Sequence, residues 1–116
     1  MAESGLTKQE LLDLATRISN WHKAGNSGFE GSIEGIVLKT AKETRPYDLP
    51  GYCTYSISAY LDGAQVGLIG CGPHSKRDDY KPIVNVHSEA SRIAHQNRIN
   101  AITYAREVLE RLRGGR

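Results

Sequence analysis

The sequence predicts an α+β fold. It reads as a two-layer sandwich: an antiparallel meander of three or four strands with an N-terminal and a C-terminal helix on one face. Three observations carry this. Asp62-Gly63 sits between two alternating strand-like runs, Thr7 to Glu10 is a helix capping box, and an apolar stripe at helical spacing runs through the last third of the chain. The resulting order is α-β-β-β-(β)-α within one domain, residues 1–116, since 116 residues suffice for one core.

The first helix opens at Thr7, whose hydroxyl can cap the backbone while Glu10 reaches back. Leu6 and Leu11 make the matching hydrophobic staple, and Leu11, Leu14, Ala15, Ile18 and Trp21 recur on one face. Gly25 is the expected terminator, so the helix is expected over residues 8–24. Gly25-Asn26-Ser27-Gly28 is a short connection. A strand is expected over 32–44, favoured by Ile33, Ile36, Val37, Leu38 and Thr40, with a bulge near Gly35. Pro46 and Pro50 then impose a turn-rich loop over 45–51.

Asp-Gly suits a two-residue type I′ turn because both central residues need φ > 0. An unbroken ladder pairs Leu61 with Ala64, Ala59 with Val66, Ile57 with Leu68 and Tyr55 with Gly70. It puts Cys53, Tyr55, Ile57, Ala59, Leu61, Ala64, Val66 and Leu68 on a core face. Tyr52, Thr54, Ser56, Ser58, Tyr60, Gln65, Gly67, Ile69 and Cys71 fall on the other. Cys53 and Cys71 then lie on opposite faces, which forbids a disulfide and implies two thiols.

Residues 72–82 read as a polar loop and 83–86, Ile-Val-Asn-Val, as a short fourth strand. Ser88 is the expected N-cap of the last helix. Its buried stripe is Ala90, Ile93, Ala94, Ala101, Ala105, Val108, Leu109 and Leu112. The polar run His95-Gln96-Asn97-Arg98 marks a possible break or a face turned to a partner.

Composition narrows the function classes. Hydrophobic residues are 39% and charged residues 24%, a globular balance. The formal net charge of +2 permits an anionic partner without demanding one. No apolar run approaches the roughly 20 residues that span a bilayer, and MAESGLTKQE has no apolar stretch of a signal peptide. A cytoplasmic protein with no membrane partner is expected.

The fragment 70–77, Gly-Cys-Gly-Pro-His-Ser-Lys-Arg, could bind phosphate through backbone N–H groups, Ser75, Lys76 and Arg77, with a solvated turn as the simpler reading. Its spacing is not that of a P-loop. His22, His74, His87 and His95 include no i,i+4 pair, and no Cys-x-x-Cys occurs, so neither a metal site nor any cofactor is expected. Cys71 with His74 or His87 and Asp78 or Asp79 would be the constellation of a small thiol enzyme. Nothing in the spacing is specific to one. Arg98 stands out among the helix arginines, because no carboxylate lies three or four residues away to pair with it.

The α-β-β-β-α order, with Gly70, Gly72, Ser75, Lys76 and Arg77, resembles the double-stranded-RNA-binding domain. In that family the basic cluster opens the last helix and grips phosphates across the major groove. Here Asp78, Asp79 and Pro82 follow the cations, and the helix is expected only from Ser88, which separates the cations from its dipole.

The uncovered sheet face, with Tyr52 and Tyr60, is the main clue to function. The reading is a small non-catalytic binding module for an anionic ligand, nucleic acid or a nucleotide. Tyr52 and Tyr60 would stack on it; Ser75, Lys76, Arg77, Lys81 and Arg98 would hold its phosphates. The alternative is an interaction or inhibitory protein, a homodimer through the same bare face. A Cys- or His-dependent enzyme is the third.

Overall fold

The computed structural model describes residues 5–43, 53–72 and 77–114. Helix α1 (Lys8–Arg17) is followed by strands β1 (His22–Ala24), β2 (Gly28–Ile33), β3 (Ile36–Glu43), β4 (Thr54–Leu61) and β5 (Ala64–Cys71), and by helix α2 (Arg77–Gly114). The strands form one antiparallel sheet in sequence order. Both helices cover the same face. Leu11, Ala15, Ile18 and Trp21 from the N-terminal part meet Leu38, Ile57, Ala59 and Cys71 from the sheet, and Ile83, Val86, Ala90 and Ala94 from α2, in one core. The α+β sandwich of the sequence reading is therefore the fold, with five strands rather than three or four.

The extra strands come from two places where a single element was expected. Helix α1 does open on the Thr7–Glu10 capping box, but it stops at Arg17, with Ile18 in extended conformation. The expected span to residue 24 fails because Asn20 is captured by the sheet. Its side-chain oxygen accepts from the Ser32 backbone N–H at 2.9 Å, and its amide donates to Ser32 Oγ at 3.1 Å. Ile18 and Trp21 are buried all the same, so the helical spacing that suggested a longer helix reflects burial from an extended segment. The expected strand over 32–44 is two strands. Glu34 and Gly35 have φ of 50° and 82° and make a tight turn where a bulge was expected.

Asp62 and Gly63 make the expected turn, with φ of 52° and 85°. The ladder beyond it is not the unbroken one. Leu61 pairs with Ala64 and Tyr60 with Gln65, but Ala59 then pairs with Gly67, leaving Val66 as an extra residue in a bulge. One inserted residue exchanges the faces of the rest of β5. Leu68, expected inside, is 63% exposed on the open face, whereas Cys71, expected outside, is buried and Ile69 packs against the core. Cys53 and Cys71 are thus both buried thiols on the covered side, not on opposite faces. The packing of α1 accounts for the bulge. Leu11 Cδ2 and Leu6 Cβ lie 3.1 and 3.2 Å from where a Cβ on Gly67 would sit, so only the glycine can turn inward there. The Leu6 N–H also donates to the Val66 carbonyl at 2.8 Å.

The polar loop over 72–82 and the fourth strand over 83–86 are corrected from residue 77 on: this stretch is helix. Ile83, Val86, Ala90 and Ala94 have helical spacing and are buried on the sheet, and that burial overrides the β propensity of Ile83, Val84 and Val86. Pro82 removes one intrahelical hydrogen bond near the start without ending the helix. Ser88 is therefore mid-helix rather than an N-cap, and the helix runs unbroken through His95–Arg98. At 38 residues α2 is about 57 Å long, and it runs beyond the sheet. The second half of its expected buried stripe is largely bare: Ala101 and Ala105 are exposed, as are Leu109 and Leu112 at 43% and 74%. No helix among the described residues is long and apolar enough to cross a membrane.

Candidate functional site

The expected ligand residues among those described do not converge. Tyr60 is on the open face and half-buried, with Lys39 Nζ 5.1 Å from its ring centre, and Lys39 also lies 4.0 Å from Glu30. That ring is already engaged by a cation of its own sheet. Lys81 is exposed in the second turn of α2. Tyr52, Ser75, Lys76 and the 45–51 loop lie outside the described residues, and Arg77 enters only as the first residue of α2. Of the expected residues that are described, Arg98 alone reaches a concave site.

That site is a cleft of about 670 Å³ under α2, where the helix passes β1. The sheet supplies His22, Lys23, Phe29 and Lys42, and the β1–β2 turn supplies Asn26 and Ser27. The helix supplies His87, Ser91, Ala94, His95, Asn97, Arg98 and Ala101. Strand register explains the first set. Lys23 pairs with Phe29, which pairs with Thr40, so these three share the covered face, and Lys42 follows Thr40 by two. The Lys42 N–H donates to the Ser27 carbonyl at 3.0 Å and ties the β1–β2 turn to the end of β3. Helical spacing explains the second set, since positions 87, 91, 94, 98 and 101 advance by four, three, four and three.

His87 forms the floor. Its Nδ1 is 3.0 Å from Oγ1 of Thr40, which is 1% exposed. Its ring makes edge contacts with Phe29 and Tyr55 at 5.3 and 5.4 Å between centres. Burial, then the Lys42 charge, holds the His87 pKa below its usual value. Asn97 locks the helix to the body by donating its amide to the Ser19 and Trp21 carbonyls at 3.0 and 3.2 Å.

The chemistry of the lining is one-sided. Among the described residues it carries Lys23, Lys42 and Arg98, three histidines, two hydroxyl or amide groups from the turn, and no carboxylate. Such a cleft concentrates positive potential between low-dielectric walls. Phe29, Ala94 and Ala101 add apolar surface for a ligand body. Among the described residues no three His, Cys, Asp or Glu side chains cluster as metal ligands would. Cys71, the thiol of the enzyme reading, is in the core and does not line this cleft.

The sequence reading missed the cleft because its walls come from four elements, two of which (β1 and the start of α2) were assigned otherwise. One signal did point to it: an Arg98 with no carboxylate to pair with on its own helix.

A pH effect follows from His87. Its folded pKa is depressed, so the unfolded chain takes up this proton more readily. Its contribution to stability is whole above about pH 6.5, the unfolded value, and declines as pH falls below it. Thermal unfolding between pH 7 and 5 should show a smaller loss of Tm in His87→Gln than in the wild type. An equal loss would show that His87 does not set that slope.

Comparison with protein-family models, curated proteins and solved structures finds no match to this chain.

Proposed function

We propose that the protein binds a small organic anion, a nucleotide or another organic phosphate, in the cleft between β1 and α2. The observation that carries this reading is the lining: three permanent cations and three histidines beside the apolar surface of Phe29, Ala94 and Ala101, with no carboxylate among the described residues to neutralise them. Its size also fits, because ligand sites commonly enclose about 300–1,000 Å³. Lys23, Lys42 and Arg98 would meet the phosphate, and Phe29 and Ala94 the body of the ligand. The open sheet face supports this role less well, since Lys39 already covers Tyr60.

The test is titration calorimetry with nucleoside monophosphates and triphosphates, the parent nucleosides, and inorganic phosphate. Nucleotides should bind and nucleosides should not. A charge-assisted hydrogen bond is worth about 1.5–3 kcal/mol, so Lys42→Ala with Arg98→Ala should weaken binding by roughly 100-fold or more. Nucleotide binding that ignores both substitutions would sink the assignment to this cleft.

One observation favours a second reading, nucleic-acid binding. Helix α2 begins at Arg77, not near Ser88, so Arg77 does open the helix, as in the double-stranded-RNA-binding domain, with Lys81 one turn on. In that case Arg77→Glu with Lys81→Glu would abolish a salt-dependent affinity for duplex RNA that the cleft substitutions leave intact.

A further inference from the structure

Strand β5 is one edge of the sheet, and its outer side is open along residues 68–70. Leu61 and Ala64 flank the two-residue turn, so they are a hydrogen-bonded pair. Every second residue back along β4, Ala59, Ile57 and Tyr55, then also bonds to β5, and their partners are Gly67, Ile69 and Cys71. Leu68 and Gly70 therefore turn their N–H and C=O groups away from β4. Among the described residues nothing bonds to these four groups. The chain guards this edge at Val66, whose carbonyl accepts the Leu6 N–H at 2.8 Å. Strand β5 has no charged residue and no proline, the devices that usually keep an edge from pairing. The opposite edge differs: β1 is three residues long, carries His22 and Lys23, and has α2 packed on it.

We propose that β5 pairs with β5 of a second copy, antiparallel about a two-fold axis that passes Ile69 perpendicular to the sheet. The free groups set this register. With Ile69 facing Ile69 of the other copy, Leu68 faces Gly70 and Gly70 faces Leu68. Both are hydrogen-bonded pairs, so the two N–H and two C=O groups of each copy are all satisfied, in four bonds. An axis at Leu68 would set Gly70 against Val66, whose carbonyl Leu6 already holds. An axis at Gly70 would set Leu68 against Gly72, beyond the end of the strand. The side chains fit the same register, because opposed residues share a face. On the open face Leu68, 63% exposed, lies over Gly70 of the other copy, and glycine inside a strand often marks such a close approach. On the covered face Ile69, packed against the core, meets its counterpart. The edge hydrogen bonds alone would accept any extended peptide; the reciprocal fit of Leu68 to Gly70 selects this strand. Both helical layers then lie on one side of a continuous sheet with five strands from each copy. Each cleft sits beside β1 at the far edge, so the pairing does not depend on a ligand there.

The contact is small, below about 1,200 Å² in total, which places it among weak and transient interfaces. Sedimentation equilibrium of the full chain should show the mass rising from 12.8 kDa toward twice that value over a range of roughly 1 to 500 µM, a weak-interface affinity. Amide exchange at Leu68 and Gly70, followed by NMR, should slow over the same range. Leu68→Lys, at a site exposed in the single chain, should leave the circular dichroism of the domain native. It should weaken the dimer by roughly tenfold or more, because the two side chains lie diagonally across the axis and their charges repel. Leu68→Glu should do the same, and an equimolar mixture of the two variants should dimerise more tightly than either alone. Ser58→Glu, on the open face one strand in from the edge, should leave the dimer as it is. A monomer at every concentration would overturn the proposal, as would a mass that climbs past two chains. So would amides at 68 and 70 whose exchange ignores concentration, or a mixture no tighter than its components. Loss of the dimer in Ser58→Glu would overturn it too, since that is the mark of packing through the open sheet face.

Discussion

Replacing Trp21 with alanine should cost about 3–5 kcal/mol of stability, the range for emptying a large aromatic site in a core. Trp21 is 1% exposed and belongs to the core shared by both helices and the sheet. It lies in the extended segment between α1 and β1, which has no helix to hold it once the ring is gone. Its carbonyl accepts from Asn97, so its position also fixes where α2 crosses β1. Single domains are stable by about 5–15 kcal/mol, so a loss of this size removes about a fifth or more of the total. The measurement is urea denaturation followed by far-ultraviolet circular dichroism, since the variant lacks the chain's one tryptophan. A shift below about 1 kcal/mol, the usual effect of a surface substitution or little more, would mean that the ring does not anchor this segment. Titration of the cleft should register the same change as a weaker ligand affinity, because β1 supplies His22 and Lys23 to its wall.

The segment around Trp21 also shows what the sequence could and could not reveal. Apolar positions at helical spacing predicted burial correctly for Leu11, Ala15, Ile18 and Trp21, and the capping box placed the start of α1. The stop was not legible, because it depends on Asn20 bonding to Ser32, twelve residues away. The same division recurs at the hairpin. Asp62-Gly63 fixed the turn and the inward face of β4, with Ile57 and Ala59 fully buried. The face of β5 depended on a bulge at Val66, which answers to the packing of Leu6 and Leu11 from the N-terminus. Local chemistry is written in consecutive residues; the start of α2 is not. There β-branched Ile83, Val84 and Val86 with Pro82 argue against a helix until the sheet offers a surface that rewards one. The cleft inherits both cases. Arg98 was singled out from its own helix, whereas Lys23, Lys42 and His87 come together only through strand register.

Gly31 is the second position whose replacement should be severe, and for the opposite reason. Its conformation is ordinary strand, so the glycine is required by space rather than by φ. A Cβ built there would sit 2.5 Å from Ile18 Cγ2, 3.1 Å from Asn20 Oδ1 and 3.2 Å from Trp21 Cε3. The extended segment lies so close on β2 that no side chain fits beneath it, which is how Asn20 comes to reach the Ser32 N–H. Gly31→Ala should therefore cost about 1–3 kcal/mol through overpacking, although alanine usually favours a strand over glycine. The closest obstacle is a branched methyl fixed to its own backbone, so rotation of a flexible end cannot relieve it. A double-mutant cycle separates this cause from others. Ile18→Ala alone opens a cavity and should cost about 2–5 kcal/mol. With Gly31→Ala already present, the same change removes the clash and should cost less, by about 1 kcal/mol or more of coupling. Additive losses would mean that the segment can lift away from β2, and that the close approach of Ile18 and Trp21 to the sheet is not what holds β1 in its register.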